Sequence, residues 1–153
     1  MPERHITVQR RVPASTGSVW ALLADFPNLA RHWDGLRSTT KLGEQTSGVG
    51  ARRRVGLKPF GTMDETVTVW QDGRRIETEN LPSPLVPFAH AESTLTLEPD
   101  DTGTVATFDY RYRPRGGPVG RITGPLIDRV LTRSFTDMLV ALERAAVSSG
   151  HES

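Results

Sequence analysis

The chain has 153 residues, 36% of them hydrophobic and 24% charged, a balance that suits one globular domain with a core of its own. Its 19 basic residues, nearly all arginine, are offset by 18 acidic ones to a net charge of +1, which is no footprint for nucleic acid. The absence of cysteine excludes disulfides, zinc–thiolate sites, iron–sulfur clusters and cysteine nucleophiles, and no apolar run approaches the roughly 20 residues of an integral membrane segment.

The opening "MPERHITVQRRV" is charged and alternating and lacks an apolar h-region, so a cytoplasmic domain is expected. Within it, residues 4 to 12 read as a first strand with Ile6 and Val8 on one face. "PASTGSVWALLADF" switches to helical spacing: Val19, Leu22, Leu23 and Phe26 form one stripe, and Pro13, Ser15 and Thr16 supply start chemistry. Pro27 ends that helix or begins a second short one, running through Leu29 and Ala30 to Trp33 and stopping at Gly35.

From there to residue 113 six strands are expected: "RSTTKLG", "GARRRVGL", "TMDETVTVW", "RRIETENL", "AHAESTLTLEP" and "TVATFDYRYRP". The short breaks between them point to an antiparallel meander. After "RGGP" the helical period returns and lasts to about Ser148. Leu126, Ile127, Val130, Leu131, Phe135, Met138, Leu139 and Leu142 make a broad apolar stripe that needs a cover. Gly124 and Pro125 interrupt its first turns, predicting a kink or a helix that starts at Pro125 behind a shorter piece. One domain over 1–148 is expected, with a frayed tail over 149–153.

This order resembles the START-like helix-grip (SRPBCC) superfamily, which includes polyketide cyclases/dehydrases and small lipid-transport domains. The stretches that carry the resemblance are "VPASTGSVWALLADFPNLARHWDG", "GVGARRRV" before an Arg-rich strand, and the closing "GPLIDRVLTRSFTDMLVALERAA". It spans nearly the whole chain and is specific to fold, not to activity. The resemblance implies an α+β helix-grip fold: a seven-stranded curved antiparallel sheet around a long C-terminal helix, two short helices after the first strand, and a cavity between sheet and helix. Trp33 then closes one end of that cavity, as pocket wall or as core plug.

Periodicity nominates further lining positions. Ala106, Phe108, Tyr110 and Tyr112 share one face of the last strand, and buried tyrosine hydroxyls need partners. Glu65 is in phase with Met63, Val67 and Val69, and Arg53 with Val55 and Leu57, so a hairpin across "KPFG" sets Arg53 opposite Glu65. Such a pair is either a cross-strand salt bridge near the rim or a functional pair that holds a carbonyl and moves a proton. His90 falls outside the inner face formed by Ala91, Ser93, Leu95 and Leu97. No metal-ligand spacing, dinucleotide loop, P-loop or nucleophile elbow is present, and no cofactor is expected.

The leading expectation is a domain whose partner is a small hydrophobic molecule, a polyketide, isoprenoid, quinone or lipid. Its ligand-binding residues would be Trp33, Val55, Leu57, Met63, Phe88, Phe108, Tyr110, Tyr112, Leu126, Ile127 and Val130. The alternative is a polyketide cyclase/aromatase or dehydratase, with Glu65 as base, Arg53 as carbonyl electrophile and Tyr110 and Tyr112 as orienting donors. A third reading is a protein-interaction module presenting Leu85, Val86 and Phe88 of "LPSPLVPFA". Ligand access is expected at one rim, between the "GLKPFGT" turn with Phe60, the "LPSPLVPFA" connection and the start of the C-terminal helix near Gly124.

Overall fold

The computed structural model of the chain describes residues 3–151 apart from 32, 34, 59 and 60. Strand β1 (Arg4–Val12) buries Ile6, Val8 and Val12 and turns Thr7, Gln9 and Arg11 outward. Helix α1 (Thr16–Ala24) starts on a cap, the Ser18 N–H donating to Ser15 Oγ at 3.1 Å, and it buries Val19 and Leu23. The second short helix is less regular than expected: it is a 3-10 stretch, Phe26–Arg31, bent at Asn28 and finished before Trp33. The Asn28 carboxamide donates to Asp25 Oδ1 at 2.6 Å and fixes the bend.

Six strands follow, β2 (Leu36–Leu42), β3 (Arg52–Leu57), β4 (Thr62–Gln71), β5 (Arg75–Pro82), β6 (Phe88–Asp100) and β7 (Gly103–Pro114). All pairs are antiparallel, and the order across the curved, open sheet is β1-β7-β6-β5-β4-β3-β2. Register is set by the apolar alternation, because a slip of one residue would expose every inner side chain. The inner face of β6 is Ala91, Ser93, Leu95 and Leu97, while His90 stands outside against Glu79 at 3.3 Å.

Helix α2 crosses the concave face, with Ile127, Phe135, Met138, Leu139 and Leu142 buried. Of the two alternatives the sequence leaves, a kink or a start at Pro125, the start is set aside: the helix runs from Pro118 to His151 with Pro125 inside it. Pro118 occupies the first helical position, where a missing N–H is harmless, and Pro125 forfeits only the bond to the Arg121 carbonyl. The covered stripe is also narrower than expected. Leu126 and Val130 are 62% and 59% exposed, since each sits about 100° around the axis from its buried or half-buried neighbour Ile127 or Leu131. Among the described residues no helix is long and apolar enough to cross a membrane.

Candidate ligand-binding cavity

Between the sheet and α2 lies a cavity of about 730 Å³, within the range of small-molecule sites. Its apolar wall includes Val55 of β3, Met63 of β4, Leu95 of β6, Phe108 of β7, and Leu131 and Phe135 of α2. Phe135 closes on both Phe108 and Tyr110 with ring centroids 4.7 Å away. Strand alternation is what delivers these side chains, each inner position being one residue in two.

The geometry places Trp33, Val55, Leu57, Met63, Phe88, Phe108, Tyr110, Leu126, Ile127 and Val130 on the cavity wall. Tyr112 is not on it. Although it shares the inner face with Tyr110, its hydroxyl donates to Asp128 Oδ1 and lies 3.3 Å from the Gly124 carbonyl, under the first turns of α2. Gly124 likewise leaves no room for a ligand, because Arg4 fills the space beside it. Leu126 and Val130 line the mouth with one side and meet solvent with the other.

Trp33 is buried, and its indole lies flat against Gly35: a Cβ there would fall 2.2 Å from the ring. The ring does not mark a separate end of the cavity. Strand β2 begins at Leu36 opposite Leu57, so Trp33 shares its rim with the β3–β4 turn. That turn and the β5–β6 connection are neighbours, joined by the Ser83 N–H to the Thr62 carbonyl at 2.8 Å. Leu57, Lys58, Leu85, Val86 and Pro87 all line the cavity, Lys58, Leu85 and Pro87 being exposed, while Phe60 lies outside the described residues. Val86 and Phe88 are turned inward and buried, so of the three residues Leu85, Val86 and Phe88 only Leu85 is exposed.

Arg53 and Glu65 are cross-strand partners and form an ion pair, Nε to Oε1 at 2.6 Å, with side chains only 12% and 9% exposed. The pair lines the cavity instead of standing at an open rim. Arg53 is held on two further sides: Nη1 donates to the Phe26 carbonyl at 2.8 Å, and the guanidinium lies 3.9 Å over the Phe26 ring. A buried charge pair with this many contacts satisfies both partners and keeps the arginine in one rotamer.

Beside it runs a neutral polar band, all buried: Thr78 and Asn80, which sequence reading missed, and Ser93, which strand alternation places on the inner face of β6. Its signal was the placing of Thr78 and Asn80 two apart, in phase with Ile76, on a strand read only for its existence. Thr78 donates to Asn80 Oδ1 at 2.8 Å and shares a hydrogen bond with Ser93. The Asn80 nitrogen is fully buried and makes no hydrogen bond of ordinary geometry. Burial and the Glu65 charge raise the Tyr110 phenol pKa, and the Asn80 side chain offsets part of that rise. Tyr110 donates to Met63 Sδ at 3.5 Å and stays protonated across the neutral range. Among the described residues no cluster of three metal-ligating side chains occurs.

Solved structures share this architecture over almost the whole chain. TTHA0849 from Thermus thermophilus is 19% identical with a TM-score of 0.80, covering 95% of this chain and 99% of that one. Zhui aromatase/cyclase from Streptomyces sp. R1128 is also 19% identical with a TM-score of 0.80, covering 95% and 94%. Truncated norcoclaurine synthase from Thalictrum flavum is 17% identical with a TM-score of 0.70, covering 94% and 92%. At these identities the likeness is one of fold. No curated protein matches the sequence. The sequence profile of one family matches residues 3–147, and with the seven-stranded sheet, the long C-terminal helix and the cavity between them this places the chain in the polyketide cyclase / dehydrase and lipid transport family.

Proposed function

We propose that the chain encloses a small hydrophobic molecule of polyketide, isoprenoid, quinone or lipid type between sheet and α2. The observation that carries this reading is the cavity itself, about 730 Å³ of largely apolar space where an ordinary core would be filled. The test is native mass spectrometry of the protein against a panel of such compounds, with Ile127→Trp as a cavity-filling control. Specific adducts that Ile127→Trp abolishes support the reading. No adduct with any class overturns it.

A second reading, cyclase/aromatase or dehydratase, draws on the Arg53–Glu65 pair in the wall. Glu65 would take a proton from the carbon between two carbonyls, and Arg53 would hydrogen-bond the enolate oxygen as that carbon attacks a second carbonyl. The resulting alkoxide takes that proton back from Glu65 to become an alcohol; Glu65 then removes the remaining proton of the same carbon and hands it to the hydroxyl, which leaves as water as the carbon–carbon double bond forms. Tyr110 reaches the same space as an orienting donor, and Tyr112, committed to Asp128, does not. Turnover of a linear poly-β-ketone thioester to an aromatic product, lost in Glu65→Gln with ligand binding retained, is the expected result. Equal product with Glu65→Gln removes this role.

A further inference from the structure

Resting on the enclosed-ligand reading, we propose that the cavity selects a hydrophobic molecule carrying a hydroxyl, alcohol, enol or phenol, whose proton is donated to Ser93 Oγ. Thr78 and Ser93 face each other across β5 and β6, 4% and 8% exposed, and both border the cavity. They stand midway along the sheet, with Ile76 and Leu95 one inner position deeper and Phe88 nearer the mouth. Valine and alanine would pack this wall as well, without hydroxyls that need partners.

The direction of the hydrogen bonds follows from counting protons. A carboxamide oxygen only accepts, so the single proton of Thr78 is committed to Asn80 Oδ1 at 2.8 Å. The bond between Thr78 and Ser93 must then use the Ser93 proton. Ser93 therefore has only lone pairs left to present to the cavity. In the structure Asn80 Oδ1 is the atom that takes the Thr78 proton, and the Asn80 nitrogen points away from this pair, buried and without a hydrogen-bond partner. An ether or ketone at the same spot meets lone pair with lone pair, whereas a hydroxyl completes the relay.

Two naphthalenes of similar shape, 2-naphthol and 2-methoxynaphthalene, separate the alternatives by isothermal titration calorimetry. Wild type is expected to bind the naphthol more tightly, although the ether has more apolar surface. The naphthol-to-ether preference is expected to fall about three- to tenfold in Ser93→Ala, the size of one hydrogen bond. It should fall also in Thr78→Val, which frees the Ser93 proton to turn into the cavity. Tighter binding of the ether by wild type, or a preference unmoved in a variant that keeps a cooperative thermal transition, overturns hydroxyl selection while leaving the enclosed-ligand reading standing. If neither probe binds wild type, hydroxyl selection falls, and the enclosed-ligand reading stands or falls with the compound panel.

Discussion

Trp33 and Gly35 act as one steric unit. The indole occupies the space a Cβ at position 35 would need, 2.2 Å from the ring, so the glycine is what lets a large ring fold back on the chain at the cavity rim. We expect Gly35→Ala to displace Trp33, costing about 1–3 kcal/mol as overpacking usually does and shifting the tryptophan emission, both measurable in one denaturant titration. An unchanged emission maximum would mean that the ring has another place to go. The Arg53–Glu65 pair gives a second expectation at this scale. Glu65→Leu leaves a desolvated guanidinium, at a cost of about 3–5 kcal/mol, whereas Arg53→Met with Glu65→Leu removes both charges and recovers most of it. Chemical denaturation of the two variants checks the order, and equal losses would show that the pair is solvated in solution. Period-two reading found this pair, since two polar residues in phase with apolar ones on adjacent strands must meet. The same reading put Tyr112 in the cavity wrongly, because alternation gives the face of a strand and not the depth along it.

At the scale of elements, the start of α2 is tied to the sheet edge by one carboxylate. Arg4 Nε donates to Asp128 Oδ2 at 2.9 Å and Tyr112 donates to Oδ1, so β1, β7 and α2 converge on a single side chain. The Arg4 hydrogen bond, outweighing desolvation, holds the Asp128 pKa below the usual carboxylate value, while burial and this carboxylate push the Tyr112 phenol up. A group whose pKa is depressed in the folded state adds stability above its unfolded pKa and loses it as pH falls through the folded one. For Asp128 that window lies below about pH 4. Asp128→Asn is expected to lower stability at pH 7 and to flatten the fall in melting temperature below pH 4. Parallel curves for the two proteins would show that the contact contributes nothing. Strand boundaries were legible to within a residue or two, because turns and alternation are local signals. The course of α2 through Pro125 was not: a proline is read as a local break, while the packing of Ile127, Phe135 and Leu139 that outweighs it is tertiary.

On the scale of the whole molecule, the mouth gathers everything that would have to move for a ligand to pass. Both turns, Trp33 and the first half of α2 line it, and the helix contributes Val119, Leu126 and Val130 with more than half of each exposed. The β5–β6 connection is held by few bonds. Its prolines donate none, and its link to the β7–α2 corner is made by Arg115, whose N–H donates to the Pro87 carbonyl at 3.0 Å and whose Nε donates to the Val86 carbonyl at 2.9 Å. Val86 in turn covers Gly61 of the neighbouring turn, so loosening one turn loosens the other. Arg115→Ala removes the side-chain bonds, to the carbonyls of Val86, Ser83 and Pro82, and keeps the backbone one. We expect it to speed both association and dissociation of a fluorescent apolar probe by at least about threefold, with little change in affinity, as loss of hydrogen bonds from the closed state alone dictates. Deuterium uptake should rise over residues 83–87 and stay level in β6 and β7, which separates a local opening from general destabilisation. Unchanged exchange rates with faster uptake at 83–87 would mean that the connection moves but is not the path. The ligand would then pass along the exposed flank of α2, where Leu126→Asp should slow it instead.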